Sequence, residues 1–488
     1  MAFTLALLVV ILVLGSLEYY GYESTNSQFS TMSANLNSQI SALRNNITSS
    51  ESQAAHDQSV IQSLNNQVSL LKSEGSAANS TIQSLEDEIS SLQSELSRSS
   101  SAAETLNNQI SLLQSQVYGS QAKCGSAITA NATLSTDIGP CPGNGLVIRA
   151  SHIFIDCAGH AIGGMGATRS SGIQLDELSI VTVRNCQVAA FGVGFSIVDS
   201  SGIILNNDNA SGNGYAGFLL NGTFGGNILT EDTANGNRLG FDFNGSSSSI
   251  LSANTANRNS LDGFHLRGSS YDVIQNNTAD GNEGDGFLLT LSSNDNVLVA
   301  NRGSDDTRTG FTFSDSSGCN LLNNTADSDG GGFYFVGPSN NNALTLNTAA
   351  RDSYGFGFND SSHNSLVRNA AENNSEDGFY FYSSSTNNSL SSNTASGNLN
   401  DGYHLSVSFG NTLSENAATG NRGDGFFITG SLSNKLYSNT SDYNTQYGYH
   451  DTTKGSGTDG TADSYTKNVS QGNGVAGSFP SGLGIPQT

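Results

Sequence analysis

The sequence predicts an all-β solenoid, a single short unit wound repeatedly and stacked coil on coil. Three observations carry this. A Gly-(Phe/Tyr)-x-apolar motif returns twelve times, at Phe195, Phe218, Phe241, Phe264, Phe287, Phe311, Phe333, Phe356, Phe379, Tyr403, Phe426 and Tyr449, at intervals of 22 to 24 residues. The apolar runs are three to five residues long and alternate, which is the habit of strands and too short for a helical repeat. Asn also recurs once per period at a fixed offset, from Asn254 and Asn277 through Asn416 and Asn439, with Asp208 and Asp232 leading the column. A period of this size marks units that bury their apolar side only against their neighbours.

Composition sets the outer bounds. No Trp, 8% aromatic and 12% charged residues would suit disorder, were it not for an apolar period that supplies a continuous core. The formal net charge of −24 argues against a nucleic-acid partner, because phosphate binding needs clustered Lys and Arg. It suits solubility, cation binding or a crowded exterior.

In chain order, residues 1–20 come first. Residues 2–17 carry no charge before Glu18, and such a stretch is slightly short of the roughly 20 residues of a comfortable membrane span. It reads as a signal anchor or a cleaved signal peptide. No basic segment precedes it and Leu14-Gly15-Ser16 is a poor cleavage site, so the retained anchor is the expectation. Either way the remainder is exported, anchored in the membrane or secreted if cut.

Residues 30–118 read as a coiled-coil stalk. One seam runs Ile40, Ile47, Ala54, Ile61, Val68 and onward to Val117, and its partner runs Leu43, Ser50, Asp57, Leu64, Leu71, Ala78, Leu85, Leu92, Ser99, Leu106 and Leu113, with weak steps at Ser50/Asp57, Gly75/Ala78 and Ser99/Ala103. β-branched residues at one seam with Leu at the other favour a parallel two-stranded homo-oligomer, with a trimer as the alternative. A single-chain hairpin turning at Gly75 is the other reading, although the heptad phase continues through that glycine. At about 1.5 Å per residue the stalk would reach roughly 120 Å.

Residues 119–170 form the expected N-terminal cap and opening coil, 171–473 the solenoid, and 474–488 a cap or tail covering an edge that would otherwise invite strand pairing. The five cysteines fit an oxidising exterior. Cys157 and Cys186 fall about one coil apart, and coils about 4.8 Å apart lie within reach of a disulfide. Cys124 with Cys141 would close a small loop, leaving Cys319 as a free thiol or a link between chains. Within the repeat the aromatic is expected inside and the next residue outside. The Asn column is expected at sharp corners, where Asn tolerates left-handed backbone and stacked amides bond from coil to coil.

From Cys124 onward the chain resembles the right-handed parallel β-helix proteins grouped with NosD and with carbohydrate-binding and sugar-hydrolase solenoids. The resemblance rests on Ile155-Asp156-Cys157-Ala158-Gly159-His160-Ala161-Ile162-Gly163-Gly164, on Val183-Arg184-Asn185-Cys186, and on the Asn-x-x-x-x-Asn and Gly-Phe cadence. It implies a right-handed parallel β-helix of about 12–13 coils. It is specific for fold and weak for activity, since that fold hosts lyases, hydrolases, adhesins and maturation factors alike. A leucine-rich horseshoe has a similar period, but its longer leucine framework is missing here.

Four candidate sites follow. A polysaccharide hydrolase would need two carboxylates about 5–9.5 Å apart on one face; Asp305 and Asp306, flanked by Arg302 and Arg308, are the best pair, although adjacent turn residues diverge and Asp306 fills an Asn-ladder position. Asp306, Asp329 and Asp352 occupy three consecutive coils between Asn282 and Asn374. Such a stack either raises a pKa or recruits a hard cation such as Ca²⁺, unless these are merely solvated turn aspartates. The NosD resemblance implies copper, which wants clustered His, Met or Cys, yet Met1, Met32 and Met165 are dispersed, His265 and His404 lie six coils apart, and His160 sits in a Gly-His turn. The outward column Tyr334, Gly357, Tyr380, His404, Phe427, His450, with Tyr382 beside it, presents rings suited to sugar contact. Alternatively the rings stabilise the sheet, or the tail after Asp451 covers them. The reading that follows is a surface binding or structural module that contacts glycan, without catalysis of its own. A polysaccharide lyase or hydrolase is the competing class, and a NosD-like copper-maturation factor the third.

Overall fold

A computed structural model describes residues 122–481 and 483; the anchor, the stalk and residues 484–488 lie outside the described residues. Every strand pair is parallel, and neighbours within a sheet come from successive coils. The coil running from Phe287–Thr290 through Val297–Val299 and Arg302–Ser304 to Phe311–Ser314 is typical, one short strand on each of three faces before the next coil begins. The faces form sheets of 16, 15 and 9 strands, with a 3-stranded sheet at the opening coils. Among the described residues no helix is long and apolar enough to cross a membrane.

The motif aromatics point inward and stack without a break from Phe195 to Tyr449. Phe241, Phe264 and Phe287 meet with ring centroids 4.7 and 4.8 Å apart and planes within 3° of parallel. The strand spacing of about 4.8 Å is what fixes that distance. Two residues on, Phe313, Phe335, Phe358 and Phe381 form a second inner stack.

The corners are held by amide ladders. In the main column the Asn301 backbone N–H and Nδ2 both donate to Asn324 Oδ1, at 2.9 and 3.0 Å, while Nδ2 also donates to the Ile274 carbonyl at 2.8 Å. Asn324, Asn347, Asn369 and Asn393 repeat the pattern. Each amide thus bonds to the coils on both sides of its own. The expected left-handed backbone falls one residue earlier than anticipated. Asn276, Ala300, Asn323, Leu346 and Arg368 carry φ of +53° to +57°, whereas the ladder Asn is buried with its amide directed into the stack. Left-handed backbone costs a non-glycine residue about 1–2 kcal/mol, and the ladder bonds gained at the next position offset it.

Three further features differ from expectation. The longest sheet holds 16 strands rather than 12 or 13, because the opening segment winds as coils through Ser126–Ile128 and Leu146–Ile148. The tail is not purely a cap, since Ala476–Phe479 pairs with Tyr447–Asp451 and extends the same sheet. Cys319 is buried at a position filled by Asn296 and Asn342 in the coils on either side. Burial pushes its thiol up to about 12, and at 1% exposure the sulfur does not reach the surface at which a link between chains would form. Cys124–Cys141 and Cys157–Cys186 are disulfides, as an extracytoplasmic chain favours.

Candidate functional site

The long sheet presents one outward column in continuous register: Thr312 pairs with Tyr334, Tyr334 with Gly357, Gly357 with Tyr380, Tyr380 with His404, His404 with Phe427, and Phe427 with His450. The strands bring all six anticipated ring residues into one stripe. Tyr380 stacks on Tyr382 at 4.5 Å and on His404 at 4.7 Å; His404 meets Phe427 at 4.9 Å, and Phe427 meets His450 at 5.0 Å. The Tyr334 and Tyr382 hydroxyls are 2.8 Å apart, bridging the coil of Gly357. A Cβ at Gly357 would lie 3.0 Å from the Tyr354 ring and 3.1 Å from Tyr334, so the glycine leaves room for both. Because the rings cover one another's faces, the stripe shows solvent mainly edges and polar tips. That differs from a row of open platforms, and the coil spacing is the reason.

Sequence reasoning missed the carboxylates under this stripe. Asp377, Asp401 and Asp424 each sit two residues before one of three successive strands, Phe379–Tyr382, Tyr403–Ser406 and Phe426–Thr429, in the Asp-Gly-(Phe/Tyr) motif, whose Asp reads in sequence as a turn residue. Each gives Oδ1 to a backbone N–H of the following coil: Asp401 donates to Asp377 at 2.9 Å, Asp424 to Asp401 at 2.6 Å, and Tyr447 to Asp424 at 2.7 Å. That leaves Oδ2 for the stripe. His404 Nδ1 is 3.0 Å from Asp377 Oδ2 and 4.0 Å from Asp401 Oδ2, and His450 Nδ1 is 2.7 Å from Asp424 Oδ2. Burial, then the nearby Asp377 charge, pushes Asp401 up to about 7.

Upstream on the same sheet lies a second polar cluster that was also missed. Arg267 donates from one terminal nitrogen to both Asp242 oxygens at 2.9 Å, and the Tyr215 hydroxyl donates to Asp242 Oδ2 at 2.9 Å. His265 pairs in register with Asp242, and its Nδ1 lies 3.2 Å from Asp262 Oδ2. Here acid, guanidinium, phenol and imidazole converge on one face.

The pair Asp305/Asp306 does not converge. Asp305 takes φ +56° and is exposed, whereas Asp306 is buried in the inner ladder. Arg302 is engaged with Asp280, and Arg308 is exposed. Adjacent residues across a left-handed corner point apart, so no two-carboxylate face forms.

Asp306, Asp329 and Asp352 do stack, and they are buried rather than solvated. The Asn282 N–H donates to Asp306 Oδ1 at 2.7 Å, Asp306 to Asp329 at 2.7 Å, and Asp329 to Asp352 at 2.8 Å. The Oδ2 atoms of Asp306 and Asp352 are buried without a partner. They abut backbone, since a Cβ on Gly286 or Gly332 would fall 2.4 or 2.7 Å from them. Burial pushes Asp306 up to about 8, Asp329 to about 7 and Asp352 to about 8.

Two family models match: "Right handed beta helix region" over residues 222–349 and "Periplasmic copper-binding protein (NosD)" over residues 338–473. The chain is a right-handed parallel β-helix repeat protein. No curated protein matches this β-helix protein. Among solved structures it is similar to the Azotobacter vinelandii mannuronan C-5 epimerase AlgE6 A-module, with 16% identity over 72% of this chain and 87% of that one, and a TM-score of 0.40. It is also similar to the catalytic domain of a GH87 alpha-1,3-glucanase, with 15% identity, 76% and 67% coverage and a TM-score of 0.32. PfbA, a surface adhesin of Streptococcus pneumoniae, is a third, with 10% identity, 66% and 81% coverage and a TM-score of 0.27. Likenesses this distant concern fold alone.

Copper does not fit the β-helix protein's donors. Among the described residues the grouped potential ligands are Asp377, Asp401 and His404, which supply one imidazole and two hard carboxylates. Met165 is exposed on an early coil and Cys319 is buried in the ladder, so no soft ligand joins them. A copper site wants the opposite balance.

Proposed function

We propose that this protein is an extracytoplasmic binding module that holds a carbohydrate chain along the stripe from Tyr334 to His450. An N-terminal anchor and a coiled-coil stalk, with the chain self-associating through that stalk, would set the β-helix away from the membrane. One observation carries the reading: over consecutive coils, phenols and imidazoles line a single outward column with carboxylates beneath it, and hydroxyl-rich polymers are recognised by such donors and acceptors beside apolar ring edges. The two disulfides support placement outside the cytoplasm.

Binding of the full chain to immobilised polysaccharides tests this. Tyr380→Phe keeps the ring and removes the hydroxyl, so affinity should fall about threefold to tenfold, the worth of one hydrogen bond, with an unchanged melting temperature. Phe427→Ala should weaken both binding and folding, because the ring also packs against His404 and His450. Unchanged affinity in both variants would remove the stripe as the binding surface.

The competing reading, a polysaccharide lyase or hydrolase, draws on the cluster of Tyr215, Asp242, His265 and Arg267. Release of new reducing ends or unsaturated sugars from a bound glycan, abolished in Arg267→Ala, would establish it. The binding-module reading expects no such products.

A further inference from the structure

We propose that the stripe selects glycans bearing free amino groups, cationic glucosamine-type polymers, over uronate polymers and over the same backbone with its amines acylated. This rests on the carbohydrate reading and names its ligand class. On other coils several outward carboxylates are neutralised by guanidinium groups: Asp242 by Arg267, Asp280 by Arg302, and Asp327 by Arg351. Along the stripe it does not. Asp377, Asp401 and Asp424 pair with no Lys or Arg among the described residues; their ion-pair partners are His404 and His450 alone.

Asp401 is the least compensated. Its side chain is 9% exposed, and Oδ2 takes no hydrogen bond, its nearest ionic partner being the His404 Nδ1 at 4.0 Å. Glu376, next to Asp377 in the chain, is exposed and adds a further negative charge at the rim, one that salt screens. Residues 369–450 contain seven carboxylates (Glu372, Glu376, Asp377, Asp401, Glu415, Asp424, Asp442) and two cationic side chains, Arg422 and Lys435. Lys435 starts a strand of the second sheet, and Arg422 is exposed at a corner before Asp424.

The three aspartates recur once per coil, about every 4.8 Å along the axis. Carboxylates held that close cost each other energy in their ionised form. An ammonium group, a donor with no acceptor, relieves that cost. A uronate carboxylate would instead add like charge to a protein already at −24.

The test measures binding of the full chain to three probes at low and physiological salt: chitosan oligomers, their fully N-acetylated counterparts, and polygalacturonate. The expected result is at least tenfold tighter binding of the chitosan oligomers, weakened by salt. The double variant Asp401→Asn/Glu376→Gln should lose that preference while still binding the acetylated form. A control with two distant carboxylates neutralised, Asp199→Asn/Glu231→Gln, should retain it. Equal or tighter binding of the acetylated or uronate polymer overturns the charge preference and leaves the carbohydrate reading standing. Equal loss in the control assigns the preference to overall charge and overturns it too. If none of the three probes binds, the carbohydrate reading itself falls with the proposal.

Discussion

Replacing Phe287 by Ala is expected to destabilise the solenoid by about 3–5 kcal/mol, the usual cost of emptying a buried phenylalanine site. The loss of two ring pairs adds roughly 0.5–1.5 kcal/mol each. Phe287 is fully buried and sits between Phe264 at 4.8 Å and Phe311 at 4.7 Å. Neither neighbour can close the gap, because hydrogen bonds in the sheet hold each coil at its own level. In a stack where each coil touches only its neighbours, stability is close to a sum of local interfaces, so the damage should stay local. Limited proteolysis of the full-length variant should therefore open the chain near coils 264–311 first, with both flanks still protected, and the urea midpoint should fall. Phe479→Ala provides the contrast. Phe479 is 48% exposed on the last strand, and its truncation should cost under about 1 kcal/mol, as exposed sites do. Equal losses from the two variants would mean that the inner ring stack is not the element that couples the coils.

That stack was legible in the sequence because parallel, in-register coils turn a linear period into a vertical column. Phe241, Phe264 and Phe287 share a residue type, an offset and hence a place. The outward column at Tyr334, Tyr380, His404, Phe427 and His450 follows by alternation within each strand. What the period does not encode is the plane of a ring or the partner of a charge. His404 finds Asp377 and His450 finds Asp424 across 27 and 26 residues, a contact that depends on which carboxylate oxygen is already taken by the next coil's backbone. Asp-Gly before an aromatic looks like turn chemistry, and only the coil-to-coil bond from Asp401 N–H to Asp377 Oδ1 reveals a carboxylate column. The cluster of Asp242, Arg267 and Tyr215 escaped for a similar reason. Its members fall at different offsets of three coils, and side-chain length, rather than period, brings them together.

The inner aspartates yield the second large effect. Replacing Asp306, Asp329 and Asp352 together by Asn should stabilise the protein at pH 8 and do little at pH 4. In the unfolded chain these carboxyls ionise near pH 4; in the folded chain burial holds them protonated up to about 8, 7 and 8. Below about pH 4 both states bind the proton, so nothing is lost there. As pH rises toward the folded values, the unfolded state sheds protons that the folded state keeps, and each aspartate lowers stability progressively. Asn removes the titration. It also supplies the missing donor, as Asn374 does when its Nδ2 donates to Asn398 Oδ1 at 2.9 Å and to the Ala349 carbonyl at 3.3 Å. The expected gain at pH 8 is on the order of 1–3 kcal/mol per position, the cost of an unsatisfied buried polar group. Urea midpoints of the wild type and the triple variant at pH 4, 6 and 8, each with Ca²⁺ and with chelator, separate the two fates open to such a column. A wild-type midpoint that falls with pH and ignores Ca²⁺, beside a variant that falls less steeply because only the remaining raised aspartates such as Asp272 and Asp401 still titrate, marks protonated carboxyls acting as ladder amides. A wild-type midpoint raised by Ca²⁺ at pH 8, and a variant that is the less stable of the two, would mark a bound cation instead. The close approach of the Asp306 and Asp352 Oδ2 atoms to Gly286 and Gly332 favours the proton, since a hard cation needs room for six to eight oxygens and a single hydrogen does not.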